Sequence, residues 1–348
     1  MTSVTRSHDR GHYLSAGGPV SMLGMTTTTT QLDEPAVKAT GLSFAYGDFL
    51  AVRDVDLHVQ AGQVFALLGT NGAGKTTTLE LLQGYRRPKA GSVRVLGYEP
   101  VRHGRSLRRR TGVMLQEAGL ITELTVIETL RLWQSLSSRT DDPDALLDRL
   151  DLAHRRNVAV ERLSGGERRR LDVALAVWGN PDLVVLDEPT TGLDPESRRS
   201  LWGLILQLRD GGSTVLLTTH YLEEAEALAD TLAIMHAGRI AVSGTLEQVL
   251  RSRPAAISAE LDAMDAAGLP DLPGRLTYRQ LGTRITIRIE SSDLQRDLTL
   301  LLAWADRHDV KLAGLRATPA SLNDVFHAVR LENENGLIDR DVIDQEEM

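Results

Sequence analysis

Cysteine is absent from this chain. That excludes disulfides, thiolate-bound zinc and iron–sulfur clusters held by cysteine. Long apolar runs are missing too: stretches such as Leu183 to Leu186 fall far short of the ~18 to 20 residues that span a bilayer. If the protein moves something across a membrane, another chain has to supply the path. The N-terminal stretch lacks the apolar core of ~7 to 15 residues that marks a secretory signal. Lysine is scarce, with only Lys38, Lys75, Lys89 and Lys311 among 39 basic residues. A broad basic field is missing as well. Formal charge is −8, and residues 331–348 hold seven acids against one arginine, so the body is near neutral. Nucleic acid is therefore not an expected partner. The arginines at 102, 105 and 108 to 110 read as a solvated face.

What is present is an ordinary globular balance over 348 residues, enough for one large or two ordinary domains. Residues 1–35, with five threonines at Thr26 to Thr30, read as a disordered extension in which Met22 or Met25 is an alternative start. From there the texture is α/β. Val64 to Leu68, Leu183 to Leu186 and Thr214 to Leu217 are short apolar runs followed by helical patterns, as expected of buried strands in a mainly parallel sheet. Ligands bind at the carboxyl ends of such strands, where Gly69, Asp187 and His220 stand. Thr125 to Glu128 is a capping box, and Asp142-Pro143 starts another helix. A helical insert is expected over about 118–165, inside an α/β domain at 36–246. Alternating Ile285, Ile287 and Ile289, a helix after Asp293, a strand near Val310 to Leu315 and a last helix from Leu322 to Val329 suggest a small α+β domain at 250–330. The acidic tail 331–348 reads as disordered.

The chemistry lies in five ordered blocks. Gly69-Thr70-Asn71-Gly72-Ala73-Gly74-Lys75-Thr76, continued by Thr77, lies between a strand and a helix. Its glycines let backbone N–H groups face phosphate oxygens, and the helix start adds partial positive charge. Lys75 is placed to reach the β- and γ-phosphates and Thr76 to ligate Mg²⁺. Asp187 is expected to hold Mg²⁺. Glu188, on the opposite side of the pleat, is expected to take a proton from the attacking water. Gln116 can ligate Mg²⁺ or orient that water, and His220 can donate to the γ-phosphate. Ser164-Gly165-Gly166-Glu167 opens a helix, first as a capping box and also as a second anion site. One nucleotide cannot easily reach two helix starts in one chain, so a head-to-tail pair of copies sandwiching ATP is expected. Asp194 is expected to cap the helix from Pro195 and, near the γ-phosphate, can also link the two sites.

Together these blocks resemble the ATP-binding subunit of ABC transporters over residues 36–246. The phosphate loop is similar to the family's Walker A motif and Gln116 to its Q-loop. Leu163 to Glu167 resembles its signature, Leu183 to Asp187 its Walker B strand, Gly192-Leu193-Asp194 its D-loop and His220 its switch histidine. The resemblance implies that Tyr46 stacks on adenine. Arg168-Arg169-Arg170-Leu171-Asp172 and Ser321-Leu322-Asn323-Asp324-Val325-Phe326 resemble the daunorubicin-resistance branch of drug exporters. In that branch the subunit pairs with a separate six-helix membrane permease at the cytoplasmic face. The implied function is ATP hydrolysis powering export, with ATP and Mg²⁺ bound and coupling through about Ala118 to Glu128. A soluble ABC-type ATPase of repair, translation or assembly is the alternative, disfavoured by the single nucleotide domain and the lack of a long coiled-coil insertion. A P-loop kinase or GTPase leaves the Ser164 block unexplained.

Overall fold

The computed structural model describes residues 34–116, 119–270 and 273–330. The expected disordered ends, 1–33 and 331–348, and Ala118 of the expected coupling segment lie outside the described residues.

Val64–Gly69 is buried at every position, as are Leu183–Asp187 and Thr214–Thr219. They lie in a six-stranded sheet with the order Thr111–Met114, Leu183–Asp187, Thr214–Thr219, Val64–Gly69, Thr231–His236 and Arg239–Thr245. The first five strands are parallel; the last runs antiparallel at the edge. Continuous apolar runs arise because both faces of the sheet are covered. Leu183 and Val185 join Phe65, Leu67 and Leu216 in one core, backed by Leu79 and Leu82 of the helix Lys75–Leu82. Val184 and Leu186 join Ala66, Leu68, Val215 and Leu217 in the other, beneath the helices Gly165–Val177 and Pro195–Asp210.

A separate antiparallel sheet, in the order Phe49–Val59, Val37–Tyr46, Ala90–Val95, adds Leu42, Val52 and Val93 to the first core. Sequence patterning did not isolate it, because register shifts between Ala39 and Ala45 break the period-two alternation. Between the Thr111–Met114 strand and Ser164 come the helices Val126–Leu136 and Pro143–Arg149, capped by Thr125 and Asp142 at the expected places.

Past residue 254, four antiparallel strands run in the order Arg275–Leu281, Arg284–Ser291, Ala255–Asp262, Ala313–Thr318. The helix Leu294–Arg307, capped by Asp293, lays Leu301 and Trp304 on Ile257, Ile285, Ile287 and Ile289. The last strand starts later than the expected Val310, because Asp309 takes a left-handed turn (φ 56°) and Val310 N–H bonds back to Ala305.

The final helix, residues 322–330, departs from expectation. Its buried face does not serve the small domain, whose sheet is already covered by Leu294–Arg307. Leu322, Val325 and Val329 instead belong to the core of the nucleotide-binding part, with Leu204, Leu208 and Val249. Ser321 and Asp324 fix its start: Ser321 Oγ donates to Asp324 at 2.6 Å, and Asp324 N–H donates back to Ser321 Oγ at 3.2 Å. The Ser321 to Phe326 motif thus fastens the small domain to the larger one. Leu322 is fully buried, so Leu322→Ala is expected to lower unfolding free energy by about 2–5 kcal/mol in a urea titration. An unchanged midpoint would show that this helix contributes nothing to the core.

Candidate functional site

The phosphate loop is shaped by close approach as well as by turn geometry. A Cβ on Gly69 would lie 2.6 Å from Met235 O, and one on Gly74 would lie 2.6 Å from Ala51 O. Gly74 also sits at φ 105°, a region that L side chains rarely adopt. As N-cap it offers no side chain to the helix, which leaves the first-turn N–H donors available to an anion. Lys75 is 5% exposed. Its Nζ donates to Gly69 O at 2.8 Å and Thr70 O at 3.3 Å, and lies 3.3 Å from Glu188 Oε1.

Asp187 closes its strand at the level of this loop. Its Oδ2 accepts from Thr76 Oγ1 at 3.2 Å, and its Oδ1 accepts from Thr218 Oγ1. Glu188 was expected on the opposite side of the pleat. The structure overturns this, because Glu188 leaves the strand in a left-handed turn with φ 49°. Its N–H donates to Thr218 Oγ1 at 3.0 Å. The turn brings its carboxylate onto Lys75, with Oε2 lying 3.3 Å from His220 Nδ1 and accepting from Thr191 Oγ1 at 3.2 Å. Burial alone would push the Glu188 carboxyl up, but the positive field of Lys75 and His220 outweighs it and holds the pKa below the usual value.

A cavity of about 270 Å³ collects the loop from Thr70 to Thr77 with Gln116, Glu188, Tyr46 and Phe49. Tyr46 and Phe49 face each other across the Gly47-Asp48 hairpin turn, 42% and 63% exposed. Tyr46 Oη donates to Glu80 at 3.2 Å, and the Arg86 guanidinium lies 4.6 Å from its ring centre. Phe49 was missed by sequence reasoning, although an exposed aromatic across a hairpin from Tyr46 was a usable signal. Thr218 was missed too, since a strand-end threonine carries no mark of its own. Thr76 Oγ1 and Asp187 Oδ2 form a hard-oxygen pair that fits Mg²⁺, which takes few protein ligands and completes its shell with phosphate and water.

Asp187 and His220 do not line that cavity themselves but touch Thr76 and Glu188, which do, whereas Ser164, Gly165, Gly166 and Asp194 do not line it. Ser164 caps Gly165–Val177, accepting Glu167 N–H at 3.2 Å, while Glu167 Oε2 accepts Ser164 N–H at 2.8 Å. Asp194 Oδ1 accepts the N–H groups of Glu196 and Ser197, each at 3.0 Å. The two helix starts lie side by side, since a Cβ on Gly166 would come within 2.6 Å of Ser197 Oγ. Burial would raise the Glu167 carboxyl, but the Ser164 N–H and the Arg155 guanidinium bring it from 4.5 to about 2. A depressed folded-state pKa adds stability that is present above the unfolded value and lost as pH falls. The Glu167 contribution is therefore expected to vanish from about 4.5 down to about 2. Glu167→Gln should show a shallower acid limb in circular dichroism, and an unchanged limb would refute the assignment.

Comparison with known proteins follows the same division. The family described as ABC transporter matches residues 52–191, and the family of C-terminal domains of ABC transporter domain-containing proteins matches residues 255–321. The chain is 39% identical to the Nod factor export ATP-binding protein I of Cupriavidus pinatubonensis, over 81% of this chain and 86% of that protein. It is 36% identical to the daunorubicin/doxorubicin resistance ATP-binding protein DrrA of Streptomyces peucetius, over 84% of this chain and 92% of that protein. The solved structure of an ATP-binding subunit of an ABC transporter superposes with a TM-score of 0.57 at 30% identity, covering 62% of this chain and 92% of that one. A dimeric ATP-binding cassette bound to ADP and phosphate shares the fold, with a TM-score of 0.55 at 24% identity over 60% of this chain and 98% of that one.

Proposed function

We propose, because this chain belongs to the ABC transporter ATP-binding subunits and couples ATP hydrolysis to transport, that it powers export of lipophilic or drug-like compounds through a separate membrane permease. The observation that carries the nucleotide part is the cavity joining the phosphate loop, Gln116 and Glu188 around a buried Lys75. Export is supported by relatives that are named for Nod factor export and daunorubicin resistance. No described helix is long and apolar enough to cross a membrane. We assign the chain to the cytoplasmic face, docked on its permease.

In this reading Tyr46 and Phe49 stack the adenine, and the 70–77 loop holds the phosphates. Thr76, Asp187 and Gln116 hold Mg²⁺, which would offset phosphate charge. ATP draws Lys75 onto its phosphates and so releases Glu188 to accept a proton from water. His220 is placed beside the same carboxylate to meet the γ-phosphate. Ser164, Gly165, Gly166 and Asp194 of a second copy close the site; in their own chain they stand outside the cavity, and they do not reach it through Thr76 or Glu188 as Asp187 and His220 do.

The permease surface assigned here is the groove of about 590 Å³ in which Leu115, Trp133 and Leu136 meet Arg105, Arg108 and Arg109. It adjoins Gln116 directly, so a docked segment would be felt in the nucleotide cavity. An amphipathic helix with acidic residues fits its apolar floor and basic rim. The lack of cysteine makes the test clean, since Leu136→Cys introduces a single thiol. Crosslinking of that thiol to the co-expressed permease, together with ATP-dependent efflux from cells carrying both chains, is the expected result. Efflux that is unchanged when this chain is removed would refute the proposal.

A further inference from the structure

We propose that Arg169 is a positioning residue that ties the Gln116 segment to the turn carrying Asp187 and Glu188, so that these groups move as one unit with the helix that Ser164 caps. The inference rests on the ATPase reading above and assigns it a residue outside the nucleotide cavity.

Three arginines follow the signature block, but the middle one is turned inward onto backbone. Arg169 Nε donates to Pro189 O at 2.7 Å, Nη1 to Gln116 O at 3.1 Å, and Nη2 to Asp187 O at 3.1 Å and to Glu188 O. Among the described residues, none of its hydrogen bonds goes to a carboxylate. The acceptors lie 53 positions away at Gln116 and 18 positions away at Asp187, so one planar fork spans two chain segments from a third. A lysine ammonium cannot reproduce that fork, because it is a compact point donor on a flexible stem. Burial draws the Arg169 guanidinium down, while the negative field of Asp172, Asp187, Glu188 and Glu224 favours its charge. The guanidinium is thus committed to the backbone carbonyls of two chain segments.

Those carbonyls matter because of the backbone they belong to. Glu188 is in a left-handed conformation that costs energy for a non-glycine residue. This turn aims its carboxylate at Lys75 and His220. Bonds from Arg169 to the carbonyls of residues 187, 188 and 189 hold the turn from behind. The bond to Gln116 O carries the same constraint to the segment beside the permease groove. Because Arg169 lies in the helix Gly165–Val177, displacement at Ser164 reaches Glu188 through one side chain.

The test uses the purified full chain and its Arg169→Lys and Arg169→Ala variants. ATP hydrolysis is measured against ATP concentration, ATP affinity by equilibrium binding and folding by thermal melting. Loss of positioning alone should lower kcat by about tenfold or more in Arg169→Lys while ATP affinity stays within about threefold of the parent. Arg169→Ala should fall at least as far, with partial recovery on adding guanidinium ion at a non-denaturing concentration. Parental kcat in Arg169→Lys overturns the inference, even if Arg169→Ala fails to fold, because charge without the fork would then suffice. A loss confined to ATP affinity also overturns it, since that would place Arg169 in nucleotide binding. A parent chain that neither binds nor hydrolyses ATP would defeat the ATPase reading itself, and would do so for all three proteins alike.

Discussion

Glu188→Gln is expected to slow ATP hydrolysis by about 10²- to 10⁴-fold while leaving ATP bound. Glutamine keeps the size of the side chain and can still accept a hydrogen bond from Lys75, but it cannot take a proton from water. The geometry also predicts the direction of the binding effect. Glu188 Oε1 lies 3.3 Å from Lys75 Nζ, so the carboxylate competes with phosphate for that cation. Removing one negative charge from a buried site that must take a triphosphate should tighten ATP binding. Slow turnover and tight binding together should accumulate the two-copy state, seen as an ATP- and Mg²⁺-dependent shift to dimer in size-exclusion chromatography. Parental turnover in this variant would remove Glu188 from the proton-transfer role. An exclusively monomeric elution with ATP and Mg²⁺ would count against the sandwich instead.

The second large effect is expected from Lys75→Ala, which should reduce turnover by about 10³-fold or more. In a low-dielectric site the ammonium offsets charge that grows on the transferring phosphoryl oxygens. The buried position of Lys75 makes the loss worse than at a surface. The variant also leaves Glu188 without its nearest cation, so burial acts on that carboxyl with only His220 opposing it. Its pKa should rise, and residual hydrolysis should lose activity at a higher pH on the acid side than in the parent. Steady-state phosphate release across pH checks both statements. Because the two side chains touch, the double variant Lys75→Ala/Glu188→Gln should lose much less than the two single effects combined. Turnover within a few-fold of the parent in Lys75→Ala would refute the phosphate-cation role.

The two carboxylates show how far local reasoning reaches. Their order after an apolar strand was readable, and so was the placement of Asp187 at the strand end. The side to which Glu188 turns was not, because period-two alternation holds only while the chain stays extended, and φ 49° breaks it. Arg169 was legible only as one of three arginines after a helix cap. Nothing in its neighbours marks the middle one as the one that bonds to the carbonyls of Gln116, Asp187, Glu188 and Pro189. Phe49 was within reach of local reasoning, since it pairs with Tyr46 across the two-residue Gly47-Asp48 turn in regular register.

By itself, the sequence determined the parts that depend on near neighbours. These are the strand–loop–helix from Val64 to Leu82 with glycines where the turn is tight, the caps at Thr125, Asp142, Ser164, Asp194 and Asp293, and the order of blocks that resembles one family. Such features are fixed by backbone preferences and hydrogen bonds across three or four residues. Only the tertiary structure decided which side chains meet. Thr76 reaches Asp187 from 111 positions away because the strand that leads into its loop and helix ends at the same rim of one sheet as the strand that Asp187 closes. The last helix leaves the small domain for the larger core because an apolar face goes to a surface still uncovered, and which surface that is depends on residues far away in the sequence.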